Sequence, residues 1–342
     1  MHIQVLAFVL FFQSFLACQQ GPEKLRASEA SLGFQSETSG QQAAEKTQPV
    51  AANIIFQSTD GGQTWQDISA GLPVDLEVHS AFAGDGEIFL GAETGMFRAT
   101  TTPVLVPVWE EEVFLGEKIA NIFPGKSGLY VSSYESGFFQ KTPGPGTWKP
   151  MANNLTDKRV WSVLETTDGS IFVGCNSGIF KSTDDGKNWR QVFNNKGFVT
   201  NLVAADGVLV GGIEGGLVRS ADNGEHWDLV FSEPGSFFNT GHVDGRFVGM
   251  TSADAYGMTN WLYASSDGGK TWQNTYEGLP PGSVYDLQQA GEYLFCSHKD
   301  GLLRSSDRGE TWEHVSPSNG KSTFSLVVSG NVIYAIPRRG GC

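Results

Sequence analysis

Ser265-Ser266-Asp267-Gly268-Gly269-Lys270-Thr271-Trp272 is one of five copies in this chain of a single pattern, Ser-x-Asp-x-Gly-x-x-Trp. The others run from Ser58 to Trp65, Ser182 to Trp189, Ser220 to Trp227 and Ser305 to Trp312, and Trp109 and Trp148 end degenerate copies. These seven tryptophans lie 44, 39, 41, 38, 45 and 40 residues apart. A period of this length, filled with short β-rich runs and glycine turns, marks a repeat whose units cannot bury their own faces. Four strands per period predict the blades of a propeller. The last full repeat divides into Val284 to Gln289, Tyr293 to Ser297, Leu302 to Ser305 and Thr311 to Val315, strands A to D.

The first repeat supplies only strands C and D, Asn53 to Ser58 and Thr64 to Ser69, while Phe324 to Val328 and Val332 to Pro337 supply a final A and B. Pairing these ends predicts an all-β, seven-bladed propeller of four-stranded antiparallel blades with no unpaired edge. The aspartate can accept bonds from turn N–H groups and the glycine can take a left-handed conformation. Five near-identical copies serve folding, so none is assigned a catalytic role.

The motif resembles the Asp-box, or BNR, repeat of sialidases, sortilin-type receptors, some glycoside hydrolases and photosystem II assembly factors, over about Asn53 to Pro337. With the Gly-Leu-Pro runs at Gly71 to Pro73 and Gly278 to Pro280, the chain looks most like the non-catalytic assembly-factor type. The resemblance implies a fold, and function must be argued from the site.

The expected organisation is a signal peptide over 1–17, a lipid-anchored polar tether over 18–50, and the propeller over 51–342. The apolar run from Ile3 ends in Phe15-Leu16-Ala17-Cys18, which resembles a bacterial lipobox. Acylation of Cys18 would hold the protein to the cell envelope, facing the periplasm or exterior. Residues 19–50 have little to bury. A formal net charge of −14 argues against a nucleic-acid partner. Of Cys175, Cys296 and Cys342, the first two lack metal-ligand spacing with another Cys or His, and neither metal nor cofactor is expected. The first two read as buried small hydrophobes.

The face carrying the D–A and B–C segments is the expected binding face. Aligned on strand A, Ser80, Asn121, Ser162, Asn201, Asn239, Asp286 and Ser325 share one position, expected to line a wet pore. The position before it varies: His79, Ala120, Trp161, Thr200, Phe238, Tyr285 and Phe324. Trp161 and Trp261 lie outside the repeat register and suit a sugar ring or a protein hot spot, or fill gaps between blades. The long B–C loop from Met250 to Asn260 adds Asp254 and Tyr256, and the shorter loops add Glu93, Glu135, Glu214 and Lys299. Lys158, Arg159, Arg338 and Arg339 belong to the same face. The candidate partner-binding set is Trp161, Arg159, Trp261, Tyr256, Asp254, His79, Tyr285, Phe238, Glu135 and Glu214.

A sialidase would need an arginine clamp, but Arg98, Arg219 and Arg304 precede the motif as scaffold, the Arg-Ile-Pro signature is absent, and sialidase propellers have six blades. Another glycosidase would need two carboxylates about 5–9 Å apart across a sugar. The reading reached is a monomeric, membrane-tethered propeller that is not an enzyme and binds a protein or peptide, with saccharide as the competing ligand and glycosidase as the competing activity.

Overall fold

The computed structural model describes residues 51–338 apart from 102–106, 113–118, 134–136, 143–146, 152–153, 196, 253–260, 276–277 and 318–322. All the strands pair antiparallel. The closing sheet joins Phe324–Ser329, Val332–Pro337, Phe56–Ser58 and Gln66–Asp67. Phe56 pairs with Ala335 and Ser58 with Ile333, so the two ends of the propeller meet in one ladder as expected.

The count of seven blades is overturned: the strands form six hydrogen-bonded sheets, five of four strands and one of six. After the closing sheet come Val78–Gly84 to Glu110–Glu112, then Ile119–Gly125 to Trp148–Pro150, then Val160–Glu165 to Arg190–Asn194. The fifth contains Val199–Ala205, Val208–Ser220, Asp228–Val243, Arg246–Ser252, Leu262–Ser265 and Gln273–Asn274, and the sixth runs from Val284–Ala290 to Glu313–His314. Two sequence repeats therefore share one sheet. Their strands run unbroken through Gly215 (φ 89°) and Gly235 (φ 85°), and a Glu214–Phe237 pair joins them. The blade-count argument against a sialidase falls with this correction. The contacts of Arg98, Arg219 and Arg304 described below still make them scaffold.

The repeated motif is a self-contained turn. In all five copies the serine Oγ donates to the aspartate and accepts the glycine N–H, as in Ser265 to Asp267 (2.8 Å) and Gly269 to Ser265 (2.9 Å). The Thr311 hydroxyl, then its N–H, holds the Asp307 carboxyl at about 2. Gly224 has a φ of 76°, and a Cβ there would collide with the Phe172 ring of the neighbouring sheet.

Three of the tryptophans also reach back to the preceding sheet, whereas Trp227, Trp272 and Trp312 bond the glycine carbonyl of their own turn. Trp65 Nε1 donates to Val315 O (2.5 Å), Trp109 to Ile68 O (2.7 Å) and Trp189 to Met151 O (2.7 Å). The residue before the motif serine reaches the following turn: Lys181 to Asn223 O (2.8 Å), Arg219 to Gly268 O (2.7 Å) and Arg304 to Gly61 O. The Arg304 contact spans the closure. Its guanidinium also lies 4.8 Å from the Tyr293 ring centroid. Arg304→Ala is expected to destabilise by about 1–3 kcal/mol, the cost of losing a charged hydrogen bond, and to speed amide exchange first in the closing sheet. Uniform exchange throughout would contradict that local role.

Candidate functional site

At the start of the innermost strands, five sheets carry a one-residue register break, between Val78 and Ser80, Ile119 and Asn121, Val160 and Ser162, Val199 and Asn201, and Val284 and Asp286. The skipped residues are His79, Ala120, Trp161, Thr200 and Tyr285. A bulge residue is released from the ladder and its side chain re-aimed, which leaves His79, Trp161, Thr200 and Tyr285 half-buried while Ala120 stays buried. The Phe237–Val243 and Phe324–Ser329 ladders have no break. Strict alternation there buries Phe238 and Phe324 completely. Phe238 is thus a core residue packed on Phe231 and Tyr263, which removes it from the exposed candidates.

Its neighbour takes that place. Trp161 and Phe198 meet edge to face, with centroids 5.6 Å apart and planes at 88°, and Phe198 and Phe237 lie 5.9 Å apart. The three half-buried rings cross from the fourth sheet to both repeats of the fifth. Trp161 Nε1 donates to Asn176 Oδ1 (2.5 Å). Exposed Glu214 pairs with Phe237, and its N–H donates to Phe198 O (2.9 Å). Phe198 and Phe237 were missed in the sequence because they lie outside the aligned position. Only the missing bulge reveals that the alternation has shifted.

The other candidates are distributed around this face. Arg159 is exposed, with its N–H on Asp157 (3.1 Å). Trp261 is 41% exposed and exchanges backbone and side-chain bonds with Thr251. His79 and Tyr285 are half-buried, and Arg338 lies 6.0 Å from the Tyr285 ring centroid. Cys18, Glu135, Asp254 and Tyr256 fall outside the described residues. Cys175 and Cys296 are free and buried, and burial raises both thiols.

The aligned polar ring is largely buried, with Ser325 half-buried. Ser80, Asn121, Ser162, Asn201, Asn239 and Asp286 are all 8% exposed or less, and three of them clamp neighbouring inner strands. Ser80 Oγ accepts Ile122 N–H (2.8 Å), Asn201 Oδ1 accepts Thr240 N–H (2.7 Å) and Asp286 Oδ2 accepts Leu326 N–H (2.8 Å). At the two boundaries flanking the fourth sheet, Asn121 Oδ1 and Ser162 Oγ have no hydrogen-bond partner among the described residues. A cavity of about 550 Å³ opens beside Ser162 and Asn201, reaching Lys126, Glu165, Asp168 and Asp206 at the A–B turns. Glu165 is committed to Ser127 and Tyr130, and Asp168 to Thr166, Ser170 and Asn223.

No protein-family model matches the chain, and no curated protein aligns with it. Solved structures do resemble it. YCF48 bound to D1 peptide is 16% identical with a TM-score of 0.57, and the match covers 86% of this chain and 100% of that one. YCF48 from Cyanidioschyzon merolae is 12% identical with a TM-score of 0.56, covering 78% and 97%. An ancestral GH74 enzyme is 13% identical with a TM-score of 0.54, covering 76% of this chain and 40% of its own. These likenesses establish the propeller fold, which hosts unrelated functions.

Proposed function

We propose that this chain is a non-catalytic binding propeller that takes up a protein or peptide segment on the face carrying the D–A and B–C segments. The aromatic arc of Trp161, Phe198 and Phe237 carries this reading. Accessible aromatic rings beside polar groups are the usual composition of a binding hot spot. The fold likeness to YCF48 bound to D1 peptide, over that chain's whole length, supports a peptide as the ligand class.

Several features favour binding over hydrolysis. Asp286 is buried and bonded to backbone, Glu165 holds Ser127 and Tyr130 of the third sheet, Asp168 serves its own turn, and Glu214 lies on the upper rim, in a different sheet from Asp286. A hydrolase requires two carboxylates facing one substrate. A lipid anchor at Cys18 and a tether over 19–50 would place the domain at the envelope surface. Detergent phase partitioning of wild type and Cys18→Ser tests the anchor: the wild type should enter the detergent phase and the variant should not.

Site-specific photo-crosslinking in native membranes tests the face. A benzophenone side chain at Phe198 should capture a discrete protein, whereas one at Lys187, on the motif turns, should not. Capture should disappear in a folded Trp161→Ala, Trp261→Ala, Arg159→Ala variant. Equal capture by that variant would refute the assignment. Failure to capture protein, together with glycan-array binding, would favour the saccharide alternative.

A further inference from the structure

We infer that the fifth-sheet half of this arc, Phe198, Phe237 and Glu214, recognises a cationic side chain, lysine or arginine, on the bound segment. The inference rests on the protein-binding reading above and specifies its chemistry. Phe198 and Phe237 offer only π surface, and the single donor of Trp161 is already used by Asn176. Ring faces attract cations and do not favour carboxylates. Among the described residues, the charged group on the strand between the two phenylalanines is an acid. Glu214 is fixed by its N–H on Phe198 O (2.9 Å) and by pairing with Phe237, and its carboxylate lies over Gly197, where a Cβ would collide with it.

Among the described residues flanking the arc, the cations lie on the Trp161 side. Lys158 and Arg159 are exposed just before Trp161 and lead into the fourth sheet, whereas Glu214 belongs to the fifth. The net charge of −14 adds a long-range attraction for the same ligand sign. An exposed carboxylate beside aromatic faces combines an ion pair with cation–π attraction, a pairing suited to guanidinium and ammonium groups. The seam that fuses two repeats into one sheet is therefore also what sets Glu214 between the two rings.

Titration of the intact, isotope-labelled protein with N-acetyl-arginine amide, and separately with the neutral isostere N-acetyl-citrulline amide, tests this. Amide shifts should cluster at Gly197, Phe198, Glu214 and Phe237, with the neutral analogue weaker by about tenfold, the loss of one well-placed charge interaction. Glu214→Gln and Gly197→Ala should weaken arginine amide similarly, the second without changing any charge. Glu310→Gln, an exposed acid on the opposite face, should leave it unchanged. Equal binding of the two ligands, or shifts spread over all acidic surface, would overturn the inference. Protein capture at Phe198 that is lost with Trp161→Ala but indifferent to Glu214→Gln would overturn the inference alone and leave the binding face standing.

Discussion

Replacing Asp286 by asparagine is expected to abolish a pH-dependent loss of stability and to make the protein more stable than wild type at pH 8. Burial pushes the Asp286 carboxyl from 3.8 up to about 7, against the opposing pull of the Leu326 N–H, the Gln288 amide and Arg338. The folded state therefore holds a proton that the unfolded state releases. Stability is greatest below the unfolded value and falls as pH rises from about 4 to about 7, where the buried group ionises. The shift corresponds to a loss of about 4 kcal/mol across that window. Asparagine keeps an oxygen for the Leu326 N–H (2.8 Å in the wild type) and cannot ionise. Urea unfolding between pH 5 and 8.5 should show a falling midpoint in wild type and a flat one in Asp286→Asn. An unchanged slope in the variant would place the titration elsewhere. Because this clamp joins the sixth sheet to the closing sheet, the pH effect should be accompanied by faster amide exchange at Leu326.

Glu112→Ala is expected to produce the other large effect, a destabilisation of about 3–5 kcal/mol, because removing one member of a buried ion pair strands its partner. Glu112 is 3% exposed. It accepts Lys141 Nζ at 2.5 Å from the third sheet and Arg98 Nε at 3.2 Å from its own. Arg98 retains Glu87 and Glu110 after the change, so Lys141, over the Trp148 ring, loses most. A double-mutant cycle with Lys141→Met should recover a large part of the loss, since an apolar partner needs no counter-charge. A cost below about 1 kcal/mol for the single change, typical of an exposed pair, would show that this contact does not hold the two sheets together.

The strand boundaries were readable because they depend on local chemistry. Val284–Ala290, Tyr293–His298, Phe324–Ser329 and Val332–Pro337 each begin or end within two residues of where alternation and turn residues place them. The five motif turns were readable for the same reason, each hydrogen-bonding within eight residues of chain. The clamp position was found by aligning the repeats. Its role was not, because a serine or asparagine that bonds the next inner strand looks in sequence like one that faces water.

The sequence by itself determined that this chain is an all-β propeller of antiparallel strands whose two ends share a closing sheet. Repeat spacing, turn chemistry and alternation are written residue by residue. Only the tertiary structure decided that two repeats fuse into one six-stranded sheet, that bulges release Trp161 while alternation buries Phe238, and that Phe198, Phe237 and Glu214 meet. Each depends on how strand ends from different repeats pair across the top of the molecule, and a contact between residues 23 positions apart, such as Glu214 with Phe237, leaves no period in the chain.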